Sequence, residues 1–160
     1  MANNIELDMA EGSGIRTAVD IMVLNDTKNQ ILLGLRKVKS GENTWGFPGG
    51  HQITGEKIIA TATRELREEL GEKATIQLSN LVIGIRENLI PPWFVPHITI
   101  VIEGLYQSGD IKVLEPDKTA EWQWFPLDNL PNPLFSGIEE LISNYLRRQS
   151  RVVTDWQVEK

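Results

Sequence analysis

The stretch that decides the fold is Gly49–Gly71, GGHQITGEKIIATATRELREELG. It ends in acids: Glu65, Glu68 and Glu69, with Glu72 just beyond. Like charges three and four residues apart on a helix repel one another. The C-terminal end of a helix already carries partial negative charge, so acids there are doubly misplaced. Something positive is needed among them. Lys57–Leu70 reads as the helix itself, with Ile59, Ala62, Leu66 and Leu70 on one apolar stripe and Gly71 as the stop. With about 100° per residue and Leu66 at zero, the stripe stays within about 40° on either side. Glu69, Glu65 and Glu68 then fall at about 60°, 100° and 160° along one flank. Carboxylates lined up in this way suit Mg²⁺ or Mn²⁺, hard ions that keep some water and take phosphate oxygens as further ligands. Gly49 and Gly50 lead into the helix, and a turn free of Cβ atoms can aim a backbone carbonyl at a metal. A solvated acidic face would account for REEL alone. The glycine corner and the spacing turn the interpretation toward a metal.

Working outward, IRTAVDIMVLN (Ile15–Asn25) and QILLGLRK (Gln30–Lys37) read as strands joined by the turn DTKN. WGFPGG (Trp45–Gly50) is a short apolar element running into the glycine corner. LSNLVIGIREN (Leu78–Asn88), HITIVIEGLY (His97–Tyr106) and EWQWFPL (Glu121–Leu127) are further strands, and Trp122 and Trp124 are expected in the core. LIPPWFVP (Leu89–Pro96) reads as a stiff, proline-broken loop. IEELISNYLRRQ (Ile138–Gln149) is an amphipathic helix with basic residues near its C-terminal end. The alternation of strands and helices predicts an α/β fold, an α/β/α sandwich with a mixed central sheet.

The 160 residues fit a single domain, 1–160, with 1–14 as a flexible arm and 150–160 as a C-terminal tail. Apolar residues at 41% and charged residues at 24% are ordinary globular proportions. A net charge of −6 without a basic run argues against binding duplex nucleic acid. It leaves room for a small phosphorylated ligand, because a bound metal reverses the local sign. The absence of cysteine excludes disulfides, zinc–thiolate sites and a thiol nucleophile. No signal peptide or spanning apolar stretch is evident, so no membrane association and a cytoplasmic location are expected. The sequence leaves the oligomeric state open, and a homodimer is compatible with it.

Gly50, Glu56, Arg64, Glu65, Leu66, Glu68, Glu69 and Gly71 together resemble the Nudix box of the Nudix hydrolases. The chain departs only at the last position, where Glu72 stands in place of the usual aliphatic residue. ILLGLRK, WGFPGGH and EWQWFPLDNLP extend the similarity over about Arg16–Leu146, toward the nucleotide-pool triphosphate pyrophosphohydrolases. The resemblance implies metal-dependent hydrolysis of a nucleoside triphosphate to monophosphate and pyrophosphate, with an oxidised purine such as 8-oxo-dGTP as leading substrate. It implies that Glu65, Glu68 and Glu69 hold Mg²⁺ or Mn²⁺ with the Gly49 carbonyl. Glu68 or Glu65 orients or deprotonates water, and Glu56 and Arg64 form a structural ion pair. Some members take a general base from a later loop; Glu121 is preferred here over Glu115 and Asp117. Arg36 is expected on substrate phosphate, and His51 on phosphate or as a loop cap. Phe135, with Leu134, Trp93 and Phe94, is a candidate to enclose a base. One rival is a hydrolase of another organic diphosphate, such as ADP-ribose, a nucleotide-sugar or a prenyl diphosphate. Another is a non-catalytic Nudix-fold nucleotide sensor, disfavoured by the intact box. An RNA 5′-end hydrolase is disfavoured by the negative charge.

Overall fold

The computed structural model describes residues 14–90, 95–147 and 151–154. Trp93 and Phe94 lie outside them, as does most of the expected N-terminal arm. Among the described residues, eight strands and two helices run in the order β1 (Arg16–Leu24), β2 (Gln30–Arg36), β3 (Trp45–Gly46), β4 (Gly49–His51), α1 (Ile58–Leu70), β5 (Thr75–Ile90), β6 (Val95–Ser108), β7 (Thr119–Pro126), α2 (Ile138–Leu146) and β8 (Arg151–Thr154).

The strands form one mixed sheet in the order β3-β2-β1-β6-β5-β8, with β4 added to β1 and β7 to β2. β1 pairs parallel with β6, and β5 parallel with β8; the other pairings are antiparallel. β1 and β2 leave their hairpin together at Leu24↔Ile31 and then part. β4 takes the freed edge of β1 and β3 that of β2, while β7 runs along the other edge of β2. This splay opens the cleft described below.

Alternation along β1 builds both halves of the core. Val19, Ile21 and Val23 meet Ala62, Leu66 and Leu70 of α1, together with Leu32 and Ile102. Met22 and Leu24 face the other way, toward Ile31, Leu33, Phe47, Ile83 and Val101 and toward Ile138, Leu141 and Ile142 of α2. The sheet therefore lies between the two helices, as its near-continuous apolar central strand requires. No helix among the described residues is long and apolar enough to cross a membrane.

Two expectations are corrected. The ladder of β5 and β6 continues through Leu89↔Pro96 and Ile90↔Val95, so both ends of the expected LIPPWFVP loop belong to strands. Pro96 is accommodated because it stands at the start of β6, one residue before pairing with β1 begins at His97. Ile59 is 38% exposed, while Thr61, Glu65 and Glu69 are buried beside Ala62 and Leu66. The buried face of α1 is thus turned from the apolar stripe toward the acids, because β4 packs on that flank.

Candidate active site

Gly49 and Gly50 bring β4 against α1. Gly49 has φ 146°, and a Cβ there would stand 2.2 Å from the Val19 carbonyl oxygen. A Cβ on Gly50 would stand 2.5 Å from the Glu65 carboxylate. Only glycine lets the strand approach both β1 and the acids this closely.

Arg64 supplies one positive charge to the acid run, shared among three carboxylates and not reaching Glu69. Its Nε and Nη2 donate to the two Glu56 carboxylate oxygens at 2.9 and 3.1 Å. Nη2 also donates to the His51 carbonyl at 2.9 Å, and Nη1 to Glu65 at 2.7 Å and Glu68 at 3.1 Å. Glu56 further accepts from the Ile53 N–H and the Thr61 hydroxyl. These bonds, led by those from Arg64, hold the Glu56 carboxyl down at about 2. The same partners push the Arg64 guanidinium pKa up.

The three box acids differ in environment. Glu68 is half-exposed, its side chain at 49%. Glu65 is buried, and burial raises its pKa against the opposing pull of Arg64. Glu69 is 9% exposed and takes one N–H, from Gly49 at 2.9 Å. Burial pushes its pKa up to about 8, with Glu65, Asp20 and Glu115 adding to the rise.

Among the described residues no three acidic or histidine side chains are gathered into a ready metal cage, because Arg64 draws Glu65 and Glu68 to itself. Gly49 meets Glu69 through its N–H. The donor chemistry nonetheless fits a hard divalent cation. All three side-chain donors are carboxylates, Gly50 leaves the Glu65 carboxylate uncovered, and Glu69 is a buried acid beside other acids with no cationic hydrogen-bond partner among the described residues.

The acids open onto a cleft of about 620 Å³. Gly49, Glu65, Glu68, Glu69, Arg36, His51 and Phe135 all line it. Glu56 bonds Arg64 but does not itself line the cleft. Arg36 donates from Nη2 to the Ser40 carbonyl at 2.8 Å, and its guanidinium stands 4.2 Å over the Phe135 ring. Burial lowers its pKa, with Asp20 partly offsetting this. His51 meets His97 edge to face at 5.3 Å. Burial lowers the pKa of both rings, His97 to about 4. Glu121 has an exposed side chain and does not line the cleft; alternation along β7 turns its neighbour Trp122 inward instead. Trp122 is half-buried against the α1 side of the core and also lines the cleft, while Trp124 packs edge to face on Tyr106. Glu115 is ion-paired at 2.7 Å with Lys118, which does line it. Leu134 packs on the α2 side of the core.

Sequence reasoning missed Arg16, Asp20, Arg86, His97, Lys118 and Trp122, all of which line the cleft. A signal existed for two of them: Asp20 interrupts AVDIMV, and Arg86 follows VIGI. A charge inside an apolar strand asks for a buried partner, and these two find each other at 3.1 Å. Five basic side chains now stand beside four acidic ones, a far more cationic balance than that of the whole chain.

The sequence profile of the NUDIX domain matches residues 14–145. The oxidized purine nucleoside triphosphate hydrolase of Danio rerio is 30% identical over 112 residues, covering 69% of this chain and 67% of that protein. The m7GpppN-mRNA hydrolase NUDT17 of Danio rerio is 35% identical over 78 residues, 46% of this chain but only 26% of that protein. The crystal structure of a MutT NUDIX hydrolase from Burkholderia pseudomallei superposes with a TM-score of 0.71 at 27% identity, covering 82% of this chain and 98% of the other.

Proposed function

Because the chain belongs to the NUDIX domain family, we propose that it hydrolyses a pyrophosphate bond in a nucleoside triphosphate, releasing the monophosphate and pyrophosphate. Nudix hydrolases act on pyrophosphate bonds and generally use a divalent metal. The observation that carries the proposal is the buried Glu65–Glu69 pair behind the glycine corner, facing a cleft lined by Arg36 and Lys118. Buried acids demand a cation, and the cleft cations suit a polyphosphate. Similarity to an oxidized purine nucleoside triphosphate hydrolase over two thirds of both chains supports the same substrate group.

Glu65, Glu68 and Glu69 would hold Mg²⁺ or Mn²⁺, which when bound neutralises phosphate charge and lowers the pKa of coordinated water. The chain's own residues do the rest. Arg36 and Lys118 hold phosphate oxygens in the cleft. Arg64 anchors the acids to the 51–56 loop through Glu56 and the His51 carbonyl. Glu68, the acid open to solvent, orients the attacking water and accepts its proton. Water adds to phosphorus as the anhydride P–O bond breaks, and pyrophosphate leaves.

The test is a hydrolysis panel with Mg²⁺ and with Mn²⁺. It holds normal and oxidised nucleoside triphosphates, ADP-ribose, a sugar nucleotide, a prenyl diphosphate and a 5′-triphosphate RNA. Glu68→Gln serves as the blank and should lose about 10²-fold or more in kcat/KM. Its melting temperature should stay within about 2 °C, because the residue is half-exposed. Preference for a triphosphate with pyrophosphate released supports the proposal. Turnover confined to another diphosphate, or activity undiminished in the variant, refutes it.

A further inference from the structure

The floor of the cleft is set by strand register. Asp20 lies opposite Gly49, Ala18 lies between His51 and Thr99, and Thr99 lies opposite Arg86. Asp20 and Arg86 are joined across this floor through Oδ2 and Nη2 at 3.1 Å. Arg86 is only 4% exposed, and its Nη1 donates to the Ser136 carbonyl at 2.8 Å. Each partner keeps one atom unused. Asp20 Oδ1 has no hydrogen-bond partner among the described residues, and Arg86 Nε is buried without one, as is Arg36 Nε. Buried donors are rarely left unpaired, and Trp122 Nε1, on another cleft-lining residue, is unpaired as well; these donors beside the free Asp20 oxygen call for a polar ligand in the cleft. The guanidinium groups of Arg36 and Arg86 stand over the Phe135 ring, at 4.2 and 4.7 Å. Phe135 therefore holds the two arginines in place.

We propose that Asp20 and Arg86 read the edge of an oxo-type nucleobase, one that carries a carbonyl next to a ring N–H, while Arg36 beside them stays on the phosphates. Asp20 Oδ1 accepts from the ring N–H, and the Arg86 guanidinium donates to the carbonyl oxygen. The inference rests on the nucleotide-hydrolase proposal and deepens it by naming the base. Competing occupants fit less well. A second phosphate would meet the Asp20 charge, and a prenyl chain would leave the Asp20 oxygen and the arginine donors unpaired. An adenine- or cytosine-type base puts an amino group where the carbonyl stood, pointing a donor at a guanidinium.

The experiment compares kcat/KM for GTP and ITP with that for ATP and CTP, in the wild type and in Asp20→Asn and Arg86→Lys. Ratios within one preparation do not depend on the fraction of folded enzyme. Titration calorimetry with GMP and AMP reads the same edge without turnover. The wild type should prefer the oxo bases by about 10-fold or more, and both variants should bring the ratio toward one. Equal use of all four bases, a preference for ATP, or an unchanged ratio in both variants would overturn the inference. Turnover with no base preference counts against the inference alone. GMP preference without any turnover counts against the hydrolase proposal and leaves the inference standing.

Discussion

Arg64 carries most of the local electrostatics, because it binds Glu56 on one side and Glu65 and Glu68 on the other. The folded pKa of Glu56, about 2, lies below its ordinary 4.5. The unfolded chain therefore takes up this proton more readily. The stabilisation is present above about pH 4.5 and is lost as pH falls through about 2. Glu56→Gln should flatten that acid limb. Denaturant midpoints at pH 7, 5 and 3 check this: the wild type should lose more than the variant between pH 5 and 3. The box acids were legible at this scale, because helical spacing alone places Glu65, Glu68 and Glu69 on one flank. Asp20 and Arg86 were not. Their meeting depends on β1 and β5 both flanking β6, and residue spacing within a strand carries no record of its neighbours.

At the scale of elements, α1 illustrates what periodicity leaves out. The spacing identified the helix almost to the residue, Ile58–Leu70 against an expected Lys57–Leu70. It also put Ile59 on the apolar stripe, yet Ile59 is exposed and Glu69 is buried. Period says which residues share a face; the element packed on that face decides which are covered. Here β4 does so, and Gly50 is the contact. Gly50→Ala should drive the Glu65 carboxylate from its place, since the new Cβ would start 2.5 Å away. We expect hydrolysis to fall by about 10²-fold while the far-ultraviolet circular dichroism stays that of the wild type. An active Gly50→Ala enzyme would mean that Glu65 can work from elsewhere. The loop before α2 was legible only as a loop. It docks on β3, where the Phe135 N–H bonds the Trp45 carbonyl and the Trp45 N–H bonds that of Pro133, and this docking places Phe135 beneath two arginines.

For the whole molecule, the negative net charge and the cationic cleft fit one design, in which acids gathered on α1 await a cation. Mn²⁺ at about 100 times its Kd should stabilise the fold by about 2.7 kcal/mol, a rise of about 5–10 °C in melting temperature for a chain of this size. A chelator should reverse the shift, and Glu69→Gln should shrink it. The layered architecture was legible from the alternation of strands and helices, whereas the splay of β1 from β2 that makes the cleft was not, because it is set by β3 and β4 adding to the parted edges of β2 and β1. That topology also shapes how the chain is made. β1 is an early segment, yet both its edges are filled by later ones, and its parallel partner β6 lies roughly 80 residues downstream. At about 5–20 residues per second, AVDIMVL leaves the ribosome about 4–16 s before its partner exists. The nascent chain must keep its most apolar strand from pairing with other chains throughout that interval, and closure of the sheet waits on synthesis of its second half.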